Sequence, residues 1–149
     1  MKRVMLLMLI VLTALLAGCD SQRSGAVLVE EVWARPTPQG AQNTAFYMSI
    51  DNGTDQDDAL IGVESGFCQA VELHQSFVDE EGVMGMRPLE GGRIPLPAGE
   101  EVELEPGGMH AMCLQVAGPL QEGDRVVLTL QFENTPDIRV TAEVREEEP

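Results

Sequence analysis

Two histidines and a group of methionines are the residues of this chain whose types and spacing indicate metal chemistry. His74 and His110 are its two histidines, and four of the five methionines after residue 26 lie between them or within two residues of them. Thioether sulfur is a soft, uncharged donor that suits Cu(I) and binds Zn²⁺, Ca²⁺ or Mg²⁺ poorly, while imidazole adds affinity. Outside the cytosol, where thiolates do not stay reduced, methionine is the durable soft ligand. These residue types predict a Cu(I) site.

The spacing of these residues fits β-strands. Side chains two residues apart on a strand share a face, so His110 is predicted to project together with Met112. A hairpin closed by a five-residue loop at Val78–Gly82 would place His74 directly opposite Met86, about 5 Å apart at Cβ. A register shift of one residue would put the two side chains on opposite faces. The alternative is that the methionines fill the core, as methionine often does.

The elements that position these residues are predicted to be strands throughout. Short β-branched runs recur after residue 26, separated about every ten residues by Gly, Pro, Asn and Asp. About nine such strands with frequent turns favour an all-β fold, a Greek-key barrel or sandwich. We predict strands at Val27–Ala34, Thr44–Asn52, Ala59–Ser65, Gln69–Phe77, Val83–Leu89, Glu101–Glu105, Met109–Ala117, Arg125–Glu133 and Ile138–Val144.

The N-terminal segment resembles the signal of a bacterial lipoprotein. Lys2 and Arg3 precede an apolar run of 13 residues, too short for a comfortable membrane span, and a small-small-Cys sequence follows. We predict a signal peptide at residues 1–18 and a lipidated Cys19 that opens a linker over residues 19–26. A copper-binding β domain is predicted at residues 27–145, followed by an acidic tail at residues 146–149. The domain is expected at the periplasmic face of the bacterial inner membrane, in contact with the membrane only through its lipid anchor.

The charge and composition of the chain exclude several classes of function. With 25 acidic and 9 basic residues the formal net charge is −16, which repels phosphate backbones and anionic lipid surfaces, so nucleic-acid binding is not expected. Aromatic residues make up 4% of the chain, too few for a platform on which bases stack. The sequence has no nucleophile–base pairing and no HExxH zinc signature, so it does not indicate an enzyme.

Several motifs together resemble the periplasmic PCu(A)C copper-chaperone family. The resemblance covers nearly all of residues 27–133, and its strongest part is a His, a Met and then a His-x-Met pair in that order along the chain. The matching motifs are VWARP at 32–36, AFYM at 45–48, VELH at 71–74, GVMGMRP at 82–88, PGGMHAM at 106–112 and LQEGD at 120–124.

The resemblance implies a cupredoxin-like β-barrel that binds one Cu(I) through His74, Met86, His110 and Met112, with Met84 as the substitute for Met86. It also implies a metallochaperone, not an enzyme. The resemblance implies as partners the Cu(A) subunit of cytochrome c oxidase, to which copper would be delivered, a Sco-type thiol protein, or both. General handling of periplasmic copper is the broader form of the same function.

Cys68 and Cys113 are the cysteines that remain once Cys19 is lipidated, and two states are open for them. They would form a disulfide worth roughly 2–4 kcal/mol, or stay as two buried thiols. Strand alternation places Cys113 on the face opposite His110 and Met112, which argues against Cys113 as a copper ligand. A blue-copper site needs two His, one Cys and an axial Met. In familiar cupredoxins the Cys precedes the His and Met of the closing loop, whereas here Cys113 follows them, which argues against such a site.

A non-metal envelope lipoprotein that acts as an interaction or assembly module is the alternative function. This alternative predicts that Met84 and Met86 are buried and that His74 lies far from His110.

Overall fold

Ten β-strands make up nearly all of the regular structure in the computed structural model, which describes residues 25–146. Residues 1–24 and 147–149, with the predicted signal peptide, Cys19, most of the linker and most of the acidic tail, lie outside the described residues. The strands are β1 (Val27–Ala34), β2 (Asn43–Asn52), β3 (Asp58–Glu64), β4 (Cys68–Val78), β5 (Met84–Pro88), β6 (Ile94–Leu96), β7 (Glu101–Leu104), β8 (Met109–Val116), β9 (Arg125–Phe132) and β10 (Ile138–Val144).

The strands pair into one continuous sheet. Its order is β5-β4-β8-β2-β1-β10-β9-β3-β6, and β7 pairs with β2 off this path. β1 and β10 run parallel, whereas every other pair is antiparallel. No helix within residues 25–146 is long and apolar enough to cross a membrane. The prediction of an all-β fold is confirmed.

The sheet encloses one hydrophobic core because alternate residues of its strands point inward. β2 shows the pattern most regularly, since buried and half-exposed residues alternate from Thr44 to Asn52. Removing the inward side chains from water, at about 25 cal/mol per Å² of apolar surface, is the main stabilising contribution. The largest fully buried apolar side chains come from both halves of the sheet: Phe46, Ile50, Leu60, Ile94, Leu96, Leu128, Leu130 and Val144.

A disulfide between Cys68 and Cys113 joins β4 to β8, the two strands that carry the histidines. The two Cα atoms are 5.5 Å apart, and the cysteines are 45 residues apart in the chain. Of the two states that the sequence leaves open, the structure contains the disulfide. Cys113 is fully buried on the core face, so it has no free thiolate to offer a metal on the opposite face. A blue-copper site is therefore excluded.

The strand boundaries agree with the prediction to within one residue at each end, and one strand was missed. β6 has three residues and contains Pro95, which cannot donate a ladder hydrogen bond. A short proline-containing run of this kind carries little alternation, so periodicity does not reveal it. β6 lies at one edge of the sheet and β5 at the other.

Candidate metal centre

His74 on β4 and His110 on β8 lie directly opposite each other in the antiparallel register of the two strands. Their ring centroids are 5.9 Å apart, with the ring planes inclined at 55°. The adjacent pair, Leu73 and Ala111, is buried in the core, so both histidines point to the opposite, outer face of the sheet, where His110 is nonetheless only 2% exposed. The structure thus brings together two histidines that are 36 positions apart in the sequence.

The ring of His110 is held in one tautomer by the turn before β8. Its Nδ1–H donates to the carbonyl of Gly108 at 3.2 Å, so Nε2 carries the lone pair. Nε2 is buried and has no hydrogen-bond partner. Burial lowers the pKa of His110 below 6.5, the Gly108 hydrogen bond raises it, and the neighbouring His74 lowers it, with a net decrease. The ring is therefore neutral at pH 7, the form that binds a metal ion.

The ring of His74 is held by a residue of its own strand. Glu72, two positions earlier and on the same face, accepts a hydrogen bond from Nε2–H of His74 at 2.9 Å. The lone pair is then on Nδ1, which is buried and has no hydrogen-bond partner.

Both histidines therefore show the arrangement that is typical of metal-bound imidazole. One ring nitrogen is fixed by an oxygen acceptor, a carboxylate for His74 and a backbone carbonyl for His110. The other ring nitrogen is buried without a partner, which is unfavourable unless a ligand satisfies it. The two unsatisfied nitrogens fit a metal ion bound between the strands.

Met112 projects from the same face of β8 as His110. It lies opposite Glu72 on β4 and opposite Ala45 on β2. An open cavity of about 470 Å³ has Met112 and His110 in its wall, together with Met84 and Met86 from β5. Three methionine side chains and the imidazole of His110 thus line one solvent-accessible space, whereas His74 is not among the residues that line it.

The register of the β4–β5 hairpin differs from the prediction. Met86 lies opposite Ser76, and His74 lies opposite Pro88, so the predicted pairing of His74 with Met86 is wrong. Because the displacement amounts to two residues along β5, Met86 keeps the same face as His74 and becomes its diagonal neighbour.

The physical reason is the chemistry of the loop after Val78. The Asp79 carboxylate accepts hydrogen bonds from the backbone N–H groups of Glu81 and Val83, and the Asp79 N–H donates to the carbonyl of Val83. Gly82, at φ +81°, supplies the left-handed residue that such a tight loop requires. The five-residue loop therefore spans residues 79–83 and not residues 78–82 as predicted.

The two candidate thioethers of β5 differ in their distance from His74 along the strand. On β5, Met86 is two residues from Pro88, which lies opposite His74, whereas Met84 is four residues from Pro88 and lies opposite Val78. Two residues along a strand span about 6.8 Å. Met84 reaches instead towards the turn before β8, since a Cβ atom placed on Gly107 would lie 3.9 Å from its methyl carbon. Position along β5 favours Met86 as the partner of His74.

Three contributors to the site were not identified from the sequence. Glu72 and the Gly108 carbonyl orient the two imidazoles. Tyr47 lies beside His110, with ring centroids 6.3 Å apart, and packs against Trp33 at 4.7 Å with the two ring planes inclined at 39°. Strand alternation alone places Glu72 beside His74, so that contact was predictable, whereas a backbone carbonyl leaves no signal in the sequence.

Within residues 25–146 no group of three or more His, Cys, Asp or Glu side chains could hold a metal ion. The methionines beside the two histidines are soft donors, which favour ions such as Cu(I) over hard divalent ions. The fold and this face together define a class: an all-β domain that carries a group of imidazole and thioether side chains on the outer face of its sheet.

The chain belongs to the LpqE-like family, whose model, described as "Putative lipoprotein LpqE-like", matches residues 27–144. A relative in Leifsonia xyli subsp. xyli (strain CTCB07), "Putative lipoprotein Lxx21020", is 26% identical over 130 residues, which cover 87% of this chain and 76% of the relative.

Solved structures show the same fold. A copper-bound PCuAC domain from PmoF2 is 27% identical with a TM-score of 0.67, covering 84% of this chain and 95% of that domain. The Cu(I) form of DR1885 from Deinococcus radiodurans is 25% identical with a TM-score of 0.61, covering 88% of both chains. The predicted cupredoxin-like fold and the resemblance to the PCu(A)C family are confirmed.

Proposed function

We propose that this protein is a lipid-anchored, extracytoplasmic metallochaperone that binds one Cu(I) ion through His74, Met86, His110 and Met112. The observation that supports this most directly is the pair of buried ring nitrogens without hydrogen-bond partners. One of them belongs to His110, which lines a cavity together with Met84, Met86 and Met112. Neutral imidazole and thioether together form a donor set that stabilises Cu(I) without adding charge. The two copper-containing domains that share its fold support the same metal.

The site suits a cargo ion that is received and passed on. Met86 is 61% exposed, so the ligands of an acceptor can approach the metal from the solvent side. Uncharged thioethers can then be displaced one at a time while the two imidazoles, held by Glu72 and Gly108, keep the ion in place. This exchange needs no bond-making step on a substrate, so the proposed role is that of a carrier and not of an enzyme.

The proposed destination comes from the resemblance to the PCu(A)C family. We propose that copper is delivered to the Cu(A) site of cytochrome c oxidase, beside a Sco-type protein, or serves periplasmic copper handling more broadly. The lipoprotein descriptions of the matching family and of the Leifsonia relative support anchoring through a lipid on Cys19 at the periplasmic face of the inner membrane.

The alternative function, a non-metal envelope interaction module, has two observations against it. It predicts buried β5 methionines, but Met84 is 68% and Met86 61% exposed. It also predicts that His74 lies far from His110, whereas the two residues form a directly opposed pair.

A competition titration against a Cu(I) chelator of known affinity, performed without oxygen on the purified protein, tests the proposal. We expect one Cu(I) per chain, and we expect the paired substitutions His110→Ala and Met112→Ala to abolish binding without loss of the β-sheet circular dichroism signal. Met109→Leu, on the same strand but packed against the core, is the matched control and should bind normally. Unchanged affinity in the paired variant would overturn the assignment.

A further inference from the structure

The outer face of the β4–β5 hairpin carries more exposed apolar surface than its neighbours on the sheet. Val78, Met84 and Met86 share this face and are 63%, 68% and 61% exposed. Of the eight large apolar side chains that are exposed among the described residues, these three lie together on this face. Apolar surface concentrated in one exposed patch marks an interaction site more often than scattered residues do.

This hairpin face, consisting of Val78, Met84 and Met86, is continuous with the candidate metal centre. Met84 and Met86 line the same cavity as His110 and Met112. A protein seated on the hairpin face would therefore have its own ligands next to the metal.

The edge of the sheet at β5 is open as well. Within the described residues β5 pairs only with β4. The two residues that flank β5 both bond to β4 or the loop after it: the Leu89 N–H donates to the Leu73 carbonyl, and the Val83 carbonyl accepts from the Asp79 N–H. Since bonding alternates along an antiparallel pair, the odd-numbered residues of β5 face β4. By antiparallel alternation, the backbone groups of Met84 and Met86 point away from β4. An extended segment of a partner can approach this edge, since edge backbone groups are free to pair.

The charge at the tip of the hairpin sets the kind of partner that fits. Three exposed acids, Asp79, Glu80 and Glu81, follow one another there. The Asp79 carboxylate accepts two backbone N–H groups of the loop, whereas Glu80 and Glu81 extend the negative charge outward. Glu72 adds a further carboxylate near the metal centre, and Arg35 contributes one cation to the cavity wall. A second copy of the chain, at −16, would be repelled.

Arg87 does not neutralise this surface. It lies on the reverse face of the hairpin, with its guanidinium carbon 5.2 Å from the centre of the Phe77 ring. Phe77 covers Gly85 on that same face, where a Cβ atom would lie 2.6 Å from the ring.

We infer that the β4–β5 hairpin is the docking surface for the copper acceptor, and that the acceptor presents an apolar patch bordered by lysine or arginine. This inference rests on the proposed function, because it assumes that Cu(I) is bound beside the hairpin. Apolar contact would hold the partner, and opposite charge would speed the encounter and orient it.

Two synthetic Cu(I)-accepting peptides provide the test. They carry the same Cys-x-x-Cys ligands and flanking leucines, but one has lysines and the other glutamates around this core. They are reduced in advance and freed of reductant, so that the Cys68–Cys113 disulfide persists, and each bears a dye that Cu(I) quenches. Transfer from the Cu(I)-loaded full chain is timed at low salt and in 0.5 M NaCl, a range over which electrostatic steering is screened.

The hairpin variant combines Val78→Thr, Glu80→Gln and Glu81→Gln, none of which is a proposed ligand. Its matched control combines Val127→Thr, Glu122→Gln and Asp137→Asn, which replace one exposed valine and neutralise two exposed carboxylates on β9 and its flanking loops. We expect the wild type and the control to load the lysine peptide about tenfold or more faster than the glutamate peptide at low salt. We expect the hairpin variant to lose most of that preference.

An equal preference in the hairpin variant and the wild type, or none in the wild type, would overturn the inference. Chelator competition on all three proteins separates this outcome from failure of the proposed function. Normal Cu(I) binding without a hairpin-dependent preference refutes only the docking surface. Absence of Cu(I) binding in the wild type refutes the proposed function and the docking surface with it.

Discussion

His74 and His110 lie directly opposite each other on β4 and β8, and each presents a buried ring nitrogen that has no hydrogen-bond partner. The same two strands are joined by the Cys68–Cys113 disulfide, so the separation of the imidazoles is fixed by backbone pairing and by a covalent bond. The thioethers of β5 lie on an exposed edge strand instead. The proposed site thus combines two imidazoles on rigid, paired strands with thioethers on an edge strand that a partner can reach.

Replacing Glu72 by leucine should weaken Cu(I) binding about 10- to 100-fold, the usual effect of removing a residue that orients a metal-bound histidine. Without the carboxylate, the ring of His74 is free to rotate and to change tautomer. Glu72→Gln retains an oxygen acceptor and should restore most of the affinity, as measured by chelator competition. Glu30→Leu, which removes an exposed acid from β1, is the control. Equal affinity in Glu72→Leu and Glu30→Leu would contradict a positioning role.

Met86→Leu should reduce the affinity for Cu(I) much more than Met84→Leu. On β5, Met86 is two residues, about 6.8 Å, from the position opposite His74, whereas Met84 is four residues away. Leucine conserves the volume and apolar character of methionine and removes only the sulfur, so folding should be unaffected. The two variants serve as controls for each other in the same titration. A larger loss in Met84→Leu would make Met84 the ligand.

Removing the disulfide with Cys68→Ala and Cys113→Ala should lower the free energy of unfolding by roughly 2–4 kcal/mol, because the bond closes a long loop in the unfolded chain. Urea unfolding with and without reductant measures the effect. Reductant should destabilise the wild type by a similar amount and leave the paired variant unchanged. A variant as stable as the oxidised wild type would show that the bond contributes no stability.

Asp58 should make stability depend on pH in the acidic range. Burial raises the pKa of Asp58, but hydrogen bonds from Thr135, Ala59 and Asn134 outweigh burial, and the pKa lies below 3.8. Because the folded pKa is the lower one, the stability that the carboxylate contributes is full above the unfolded pKa. It is lost as pH falls through the folded pKa.

Asp58→Asn should therefore be less stable than the wild type at pH 7, and the difference should shrink as pH falls below about 4. Urea unfolding at pH 7 and at pH 3 measures both variants, with Asp55→Asn, at an exposed position of the preceding loop, as the control. A difference between Asp58→Asn and the wild type that does not change with pH would contradict the lowered pKa.

The strands were predictable because alternation and turn residues are local features of the sequence. β1 and β10 have their predicted boundaries, and the other predicted strands differ by a residue at one end or both. Alternation also predicted that Cys113 faces away from His110 and Met112, as it does in the structure. β6 escaped prediction because Pro95 and a length of three residues leave no periodic signal.

The details of the site were harder to predict because they depend on contacts between distant parts of the chain. The hairpin register was wrong because the side chain of Asp79 closes the loop, a contact that depends on side-chain geometry. The pairing of His74 with His110 results from the β4–β8 register, which spacing alone does not determine. The role of Gly108 is exerted by its backbone carbonyl, which any residue would carry.

X-ray absorption at the copper edge of the Cu(I)-loaded protein tests the central claim most directly. We predict a shell that contains both nitrogen, from His74 and His110, and sulfur, from Met86 and Met112. In the paired variant that carries His110→Ala and Met112→Ala, this mixed shell should be absent. A shell of nitrogen or oxygen alone in the wild-type protein, or no bound copper, would contradict the account.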